Sequence, residues 1–416
     1  MSTDLRDRLK KLGVHKGAAH IAAAPRPKRR RAIETLIDGE VLETDYGPAF
    51  VHIERYALDH IHGKYALGEA LSQSKVVAAE LADAPAREGE GFDLRRAAFI
   101  DTETTGLAGG TGTLAFLVGV GTFDEDGSFA VRQYFLRSPD EEPAMLLHLA
   151  ETLDHCEAIV SFNGRGFDLP LLTTRFTLAR MFPRILTAPH LDLLTPARRM
   201  WRGRLESCSL SSLEDHVLDV HRDQADISGA LIPDMYFDYL RTGDAGEMPR
   251  VLYHNVFDIL SMVTLSTQLI QLFDRGHTTH RNAGDLYALG KWHADHDQHA
   301  QAETYLQQAI DLADDPETHH AAALRLATLN KQLERRADAV PLWEAVTDQP
   351  EITAIDACVE LAKHFEWHAR DLPHALHWTQ HAQTLAGGLP PGFVRDEVRA
   401  GLEHRLQRLE KKASNA

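Results

Sequence analysis

The chain has 416 residues, 44% of them hydrophobic and 25% charged, with 61 Asp/Glu against 44 Lys/Arg and a net charge of −17. That length fits two or three domains, each able to bury a core, and that charge excludes a protein coated on all sides by nucleic acid. No uninterrupted apolar run of 18 residues is present, so no membrane-spanning helix is expected.

The N-terminal stretch is polar and basic and does not read as a secretory signal. Residues 1–31 hold ten Lys/Arg and two Asp, so the remainder carries −25. Residues 1–35 form a basic segment: a short amphipathic helix, then a Pro/Arg linker. Its densest part, Pro25 to Arg31, is either an arm for a phosphate backbone or a solvated tail. Cys156, Cys208 and Cys358 lie far apart without metal-ligand spacing, which fits a reducing cytoplasm.

Residues 36–96 read as an N-terminal extension packing on the core, with strand- and turn-like pieces to about 75 and a loop over 82–93. Ala97 to Ile100 is a short buried strand ending in Asp101-Thr102-Glu103-Thr104-Thr105-Gly106-Leu107. Leu114–Val120 and Phe129–Leu136 are strands joined by the turn Asp124–Gly127. Glu141–Leu153 is helical, Ala158–Phe162 is a strand, and a helix runs from about Leu169 to Arg180. Val251–Phe273 is a long amphipathic helix. Residues 97–278 thus predict an α/β domain, a mixed central sheet flanked by helices. From 283 to 411 only helices remain. Ala302, Ala339 and Ala375 recur at 37 and 36 residues, each followed seven residues later by Ala309, Val346 and Ala382. Small residues at these offsets let paired helices approach closely, so three helical hairpins and a closing helix are expected.

Two carboxylates at i and i+2 on a strand share a face. Asp101 and Glu103 therefore repel one another unless a cation lies between them, and a hard divalent ion prefers such oxygen ligands. A second cluster, Asn163-Gly164-Arg165-Gly166-Phe167-Asp168, follows a strand. In a third, His254 and Asp258 stand i and i+4 on a helix.

The order of the three, DxE, then NxxxFD, then HNxxD, resembles the exonuclease motifs of the DnaQ-like (DEDD) superfamily, which has a ribonuclease H-like fold. The resemblance implies that Asp101, Glu103, Asp168 and Asp258 bind two Mg²⁺ or Mn²⁺ ions and hydrolyse phosphodiesters. It places Thr104, Gly106, Leu107, Asn163 and Phe167 against the substrate. The stretches Cys208–Glu214, Ala225–Tyr236 and His254–Leu265 look like the bacterial YprB (MrfB) branch, whose members carry C-terminal tetratricopeptide-like repeats. That likeness covers about 35–385. It implies a 3′→5′ exonuclease connected with DNA repair, acting beside a DExH helicase, with DNA preferred over RNA. An RNA-processing nuclease and an inactive nucleic-acid-binding adaptor are the alternatives.

One departure stands out. DEDD enzymes place His five residues, or Tyr four residues, before the last Asp; here Tyr253 is at −5 and His254 at −4. His254 is assigned as general base or water orienter, the alternative being a histidine outside the reaction. Gly109–Thr113 lacks the Lys-Ser/Thr of a P-loop and reads as a close-approach loop or a plain turn. Arg198, Arg199, Arg202 and Arg204 with Trp201 either grip a strand and stack a base or cover a helix face. Asp192 reads as a structural carboxylate. The histidines His293, His296, His299, His364, His368, His374, His377 and His381 read as solvated helix faces, and the repeats as a protein-binding surface.

Overall fold

The computed structural model describes residues 30–82, 91–106, 112–223, 227–274, 282–348 and 351–414. Most of the basic segment, Leu107 and the loop 109–111 lie outside the described residues. Of the basic run, Arg31 is described, and its guanidinium pairs with Asp244 at 2.8 Å.

Nine strands are found among the described residues: β1 (Gly39–Thr44), β2 (Gly47–Ala57), β3 (Ile61–His62), β4 (Tyr65–Ala66), β5 (Ala97–Thr104), β6 (Ala115–Phe123), β7 (Ser128–Phe135), β8 (Ala158–Ser161) and β9 (His190–Asp192). Seven of them form one sheet in the order β1-β2-β7-β6-β5-β8-β9, while β3 and β4 pair separately. The ladders from β1 to β5 are antiparallel, and β5-β8-β9 run parallel. The segment 36–96 therefore does more than pack on the core. Its strand β2 pairs with β7 over eight residues, from Phe50↔Phe135 to Ala57↔Ser128.

The α-helices of this half longer than one turn are α1 (Lys75–Leu81), α2 (Glu142–Leu153), α3 (Asp168–Leu178), α4 (Leu194–Trp201), α5 (Ile232–Thr242) and α6 (Met248–Phe273). They cover both sheet faces, giving two apolar clusters. Along β5 the side chains alternate between them: Ala97 and Phe99 enter one, Ala98 and Ile100 the other. Asp101 and Glu103 continue the Phe99 face, toward α6. β5 runs on to Thr104, so both acids lie within the strand. The β5–β6 register shifts between Glu103 and Thr104, an irregularity that re-aims side chains beside many active sites.

The long helix α6 differs from the amphipathic expectation. It is buried almost all round because it bridges both clusters, with Val251 and Leu252 in one and Ile259 to Phe273 in the other. By length and composition it matches a membrane span, contrary to the expectation drawn from the lack of an uninterrupted apolar run. However, 72% of its apolar window is buried within the fold.

Beyond it come α7 (Ala283–Asp295), α8 (His299–Leu312), α9 (Pro316–Gln332), α10 (Arg336–Glu344), α11 (Ile352–Trp367), α12 (Leu372–Gly387) and α13 (Phe393–Ser414). Each helix packs on the next. Ala302, Ala339 and Ala375 are fully buried, and a Cβ on Gly290 would lie 2.6 Å from Leu306, so the recurring small residues do set close helix approach. The array shares its core with the sheet domain: Leu289 and Trp292 join the cluster that holds Leu269 and Phe273. One histidine departs from the solvated-face reading. His293 is fully buried, donates to Gln298 and stacks on Tyr305 at 5.1 Å, because it faces the α7–α8 seam.

Candidate active site

Three elements bring the acids together. β5 carries Asp101 and Glu103, the N-terminus of α3 carries Asp168, and α6 carries Asp258 with His254 one turn before it. Asp101 is fixed from α6. Asn255 Nδ2 donates to Asp101 Oδ2 at 2.8 Å and to its carbonyl oxygen at 3.2 Å. The Asn255 amide is itself oriented by Gln133, whose Nε2 donates to Asn255 Oδ1 at 2.8 Å. Gly119 pairs opposite Asp101 across the β5–β6 ladder. A Cβ there would fall 2.2 Å from Asn255 Oδ1.

Asp168 sits after a tight turn. Asn163 takes a left-handed φ of 66°, and a Cβ on Gly164 would meet Ser161 Oγ at 2.4 Å. Asp192 holds this turn by accepting from the backbone N–H groups of Asn163 and Arg165 at 2.7 and 3.0 Å, the structural role its sequence context suggested. Thr102 Oγ1 then donates to Asp168 Oδ1.

Asp258 is held differently. Its Oδ1 accepts from Arg222 Nη2. Arg222 is itself gripped by buried Glu214 through two bonds of 2.7 Å. His254 Nε2 stands 3.8 Å from Asp258 Oδ2. Beside these residues opens a cavity of about 550 Å³, lined by Leu210, Ser211, Arg222, Gly229, His254 and Asp258 among others.

The electrostatics reflect crowding. Burial, then the charges of Asp258 and Asp168, raise the Asp101 carboxyl well above the usual range. Burial, then Asp101, Asp258 and Asp168, do the same to Glu103. Asp168 is pushed up to about 6, chiefly by burial. Asp101, Glu103 and Asp168, whose ionisation is resisted by their surroundings, form with Asp258 an all-oxygen donor set that suits a hard divalent cation. Among the described residues no three of these side chains close into a finished coordination cage, so the fit lies in donor type and charge.

Of the residues expected at the substrate, Thr104 donates to Gly106 O at 3.1 Å, and a Cβ on Gly106 would meet nothing within 4 Å. Phe167, immediately before Asp168, is 55% exposed. Trp201 is overturned as a base-stacking residue: its indole is 1% exposed, on the inner face of α4. Arg198, Arg199, Arg202 and Arg204 are exposed, and Arg204 faces Asp285 at 3.4 Å.

Sequence reading missed the residues that hold the acids: Thr102, Gln133, Glu214, Arg222 and Asn255. Asn255 was within reach, since at three residues before Asp258 it shares that helical face. Arg222 sits in no motif, and its partner Asp258 is 36 residues away.

A mixed sheet with acids at its centre and a crossing helix that adds another defines a ribonuclease H-like domain. Consistent with this, the model for the RNase_H superfamily matches residues 98–270. A Bacillus subtilis (strain 168) protein named "Uncharacterized protein YprB" is 30% identical over 378 residues, 90% of this chain and 88% of the relative. The chain belongs to the family of that YprB protein.

Proposed function

We propose that this chain is a metal-dependent nuclease, a 3′→5′ exonuclease that hydrolyses phosphodiester bonds in DNA during repair. The observation that carries the reading is the convergence of Asp101, Glu103, Asp168 and Asp258 on one side of a ribonuclease H-like sheet, each of the three aspartates held by a protein donor. These four carboxylates would hold two Mg²⁺ or Mn²⁺ ions, which when bound supply Lewis-acid activation of water and of the scissile phosphate. Asn255, Thr102 and Arg222 keep the carboxylates aimed, so little reorganisation is needed at reaction. Phe167 offers an exposed ring beside Asp168 on which a base can stack. His254 stands one helical turn from Asp258, with Nε2 3.8 Å from its Oδ2. The polarity and the preference for DNA come from the likeness to DnaQ-like enzymes. The stacked helical hairpins offer a surface for a protein partner, which the likeness to the YprB branch makes a DExH helicase, and the three separated cysteines fit a reducing cytoplasm.

The test is release of nucleotides from end-labelled DNA and RNA strands with Mn²⁺, Mg²⁺ or EDTA, in wild type and Asp101→Ala. The expected result is metal-dependent shortening from the 3′ end of DNA, lost in the variant. No release with either metal refutes the nuclease reading, and faster cleavage of RNA replaces the substrate.

A further inference from the structure

Arg222 belongs to none of the acid motifs, yet it touches two members of the site. Glu214 grips the guanidinium at Nε and Nη2 in a bidentate fork, the geometry that makes an arginine rigid. The guanidinium carbon lies 5.0 Å from the Phe257 ring centroid, so one face of the plane is covered. With the fork fixed, Nη2 also reaches Asp258 Oδ1, and Nη1 meets His254 Nδ1 at 3.1 Å. An arginine has donors and no acceptor. Its N–H therefore meets Nδ1 only where Nδ1 offers a lone pair, and the neutral imidazole then carries its proton on Nε2. A doubly protonated ring would bring two cationic N–H groups head to head. The Nε2 edge faces the cavity, where a Cβ built on Gly229 would lie 3.8 Å from it.

We infer that Arg222, clamped by Glu214, is a positioning residue that fixes His254 as the Nε2–H tautomer, so that His254 serves as a hydrogen-bond donor to a phosphate oxygen and not as a general base. The inference rests on the phosphodiester reading for its substrate and on geometry alone for the tautomer. It refines the sequence-based assignment of His254. An imidazole whose Nδ1 accepts from arginine and whose Nε2 is protonated has no lone pair left to take a proton from water. What it offers is one N–H at the cavity edge, 3.8 Å from Asp258 Oδ2, beside the carboxylate that would hold a metal against the phosphate.

Two measurements on the full chain test this. The first is a long-range ¹H–¹⁵N correlation spectrum of ¹⁵N-histidine-labelled protein, with the His254 signals assigned by difference from His254→Ala. A single Nε2–H pattern is expected in the wild type, giving way to a tautomer mixture in Arg222→Leu. Arg222→Lys keeps the cation but loses the fork, and serves where Arg222→Leu does not fold. An Nδ1–H pattern in the wild type, or an unchanged Nε2–H pattern in either soluble variant, overturns the inference. The second is the cleavage rate of His254→Gln against His254→Ala. The Gln amide can donate from near the Nε2 position but cannot act as a base. A donor role predicts a rate about tenfold or more above that of the Ala variant, the scale of one hydrogen bond to a charged group. Equal loss in both variants overturns the donor role. If the wild type cleaves no nucleic acid, the nuclease reading fails, while the spectrum still decides the Arg222–His254 arrangement.

Discussion

Asn255 and Asp101 are joined at 2.8 Å, amide to carboxylate, across a gap that Gly119 keeps open. The contact ties α6 to β5 at the point where the acids gather. Gly119→Ala would set a methyl 2.2 Å from Asn255 Oδ1 and 2.5 Å from Ile259 Cδ1. Neither neighbour can retreat easily, because Gln133 holds the Asn255 amide and Ile259 is fully buried. The expected cost is about 1–3 kcal/mol from overpacking, read as a lower urea midpoint at unchanged slope. Nuclease activity should fall further than stability does, because Asp101 loses its orienting donor. A midpoint equal to wild type would show that the helix moves without strain.

The crowded acids make metal-free stability fall with rising pH. A carboxyl raised in the folded state favours folding below its unfolded value, near 3.8 for Asp, and that contribution is lost as pH rises through the folded value. For Asp168 the window ends at about 6, and Asp101 and Glu103 extend it in the same direction. Mn²⁺ should therefore raise the melting temperature by about 3–8 °C at pH 7.5 and much less at pH 5, where protons already neutralise the site. Asp101→Asn should raise the metal-free melting temperature at pH 7.5 and shrink the response to Mn²⁺. The same increment at both pH values would separate metal binding from these carboxyls.

His62 acts in the opposite sense. Its imidazole is packed edge-on against Phe257 with Nε2 at 2.8 Å from Ser261 Oγ. Burial, then the charges of His60 and Arg222, lowers it to about 4. A histidine lowered on folding contributes stability above its unfolded value near 6.5, and loses it as pH falls through about 4. The wild type should therefore lose roughly 2–3 kcal/mol relative to His62→Gln between pH 7 and pH 4. Parallel urea midpoints at the two pH values measure this difference, and curves that do not converge would place the acid-sensitive group elsewhere.

How much of this was legible before the structure depends on how far each interaction reaches along the chain. The DxE strand, the strand–turn–helix around Asp168 and the helical hairpins rest on local periodicity and turn chemistry, so their residues announce them. β9 is three residues long, too short to show an alternation. The partnership of β2 with β7 joins residues as far apart as Phe50 and Phe135, and no local pattern encodes it. Trp201 was misplaced because arginines next to an aromatic look alike on a binding face and on the rim of a buried one. The donors to the acids were missed for the same reason of distance: Asn255 meets Asp101 across 154 positions, and Thr102 meets Asp168 across 66.

The closing helix offers a test away from the site. Glu366 on α11 has a fully buried side chain and accepts from Arg408 and Lys412 on α13, with Arg405 at 3.5 Å. Burial opposes its ionisation, but the bonds from Arg408 and Lys412 outweigh that and hold its carboxyl below the usual range. α13 contributes only Leu402 and Leu409 as buried residues, so much of its attachment depends on this one carboxylate. Glu366→Gln keeps the shape and removes the charge that three cations share. The expected loss is about 2–3 kcal/mol, on the scale of charged hydrogen bonds, concentrated in α13. Lys412→Ala, at a half-exposed position, should cost less than about 1 kcal/mol. Hydrogen exchange across residues 393–414 distinguishes the two variants. Protection in Glu366→Gln that matches wild type would mean that α13 is held by its apolar contacts alone.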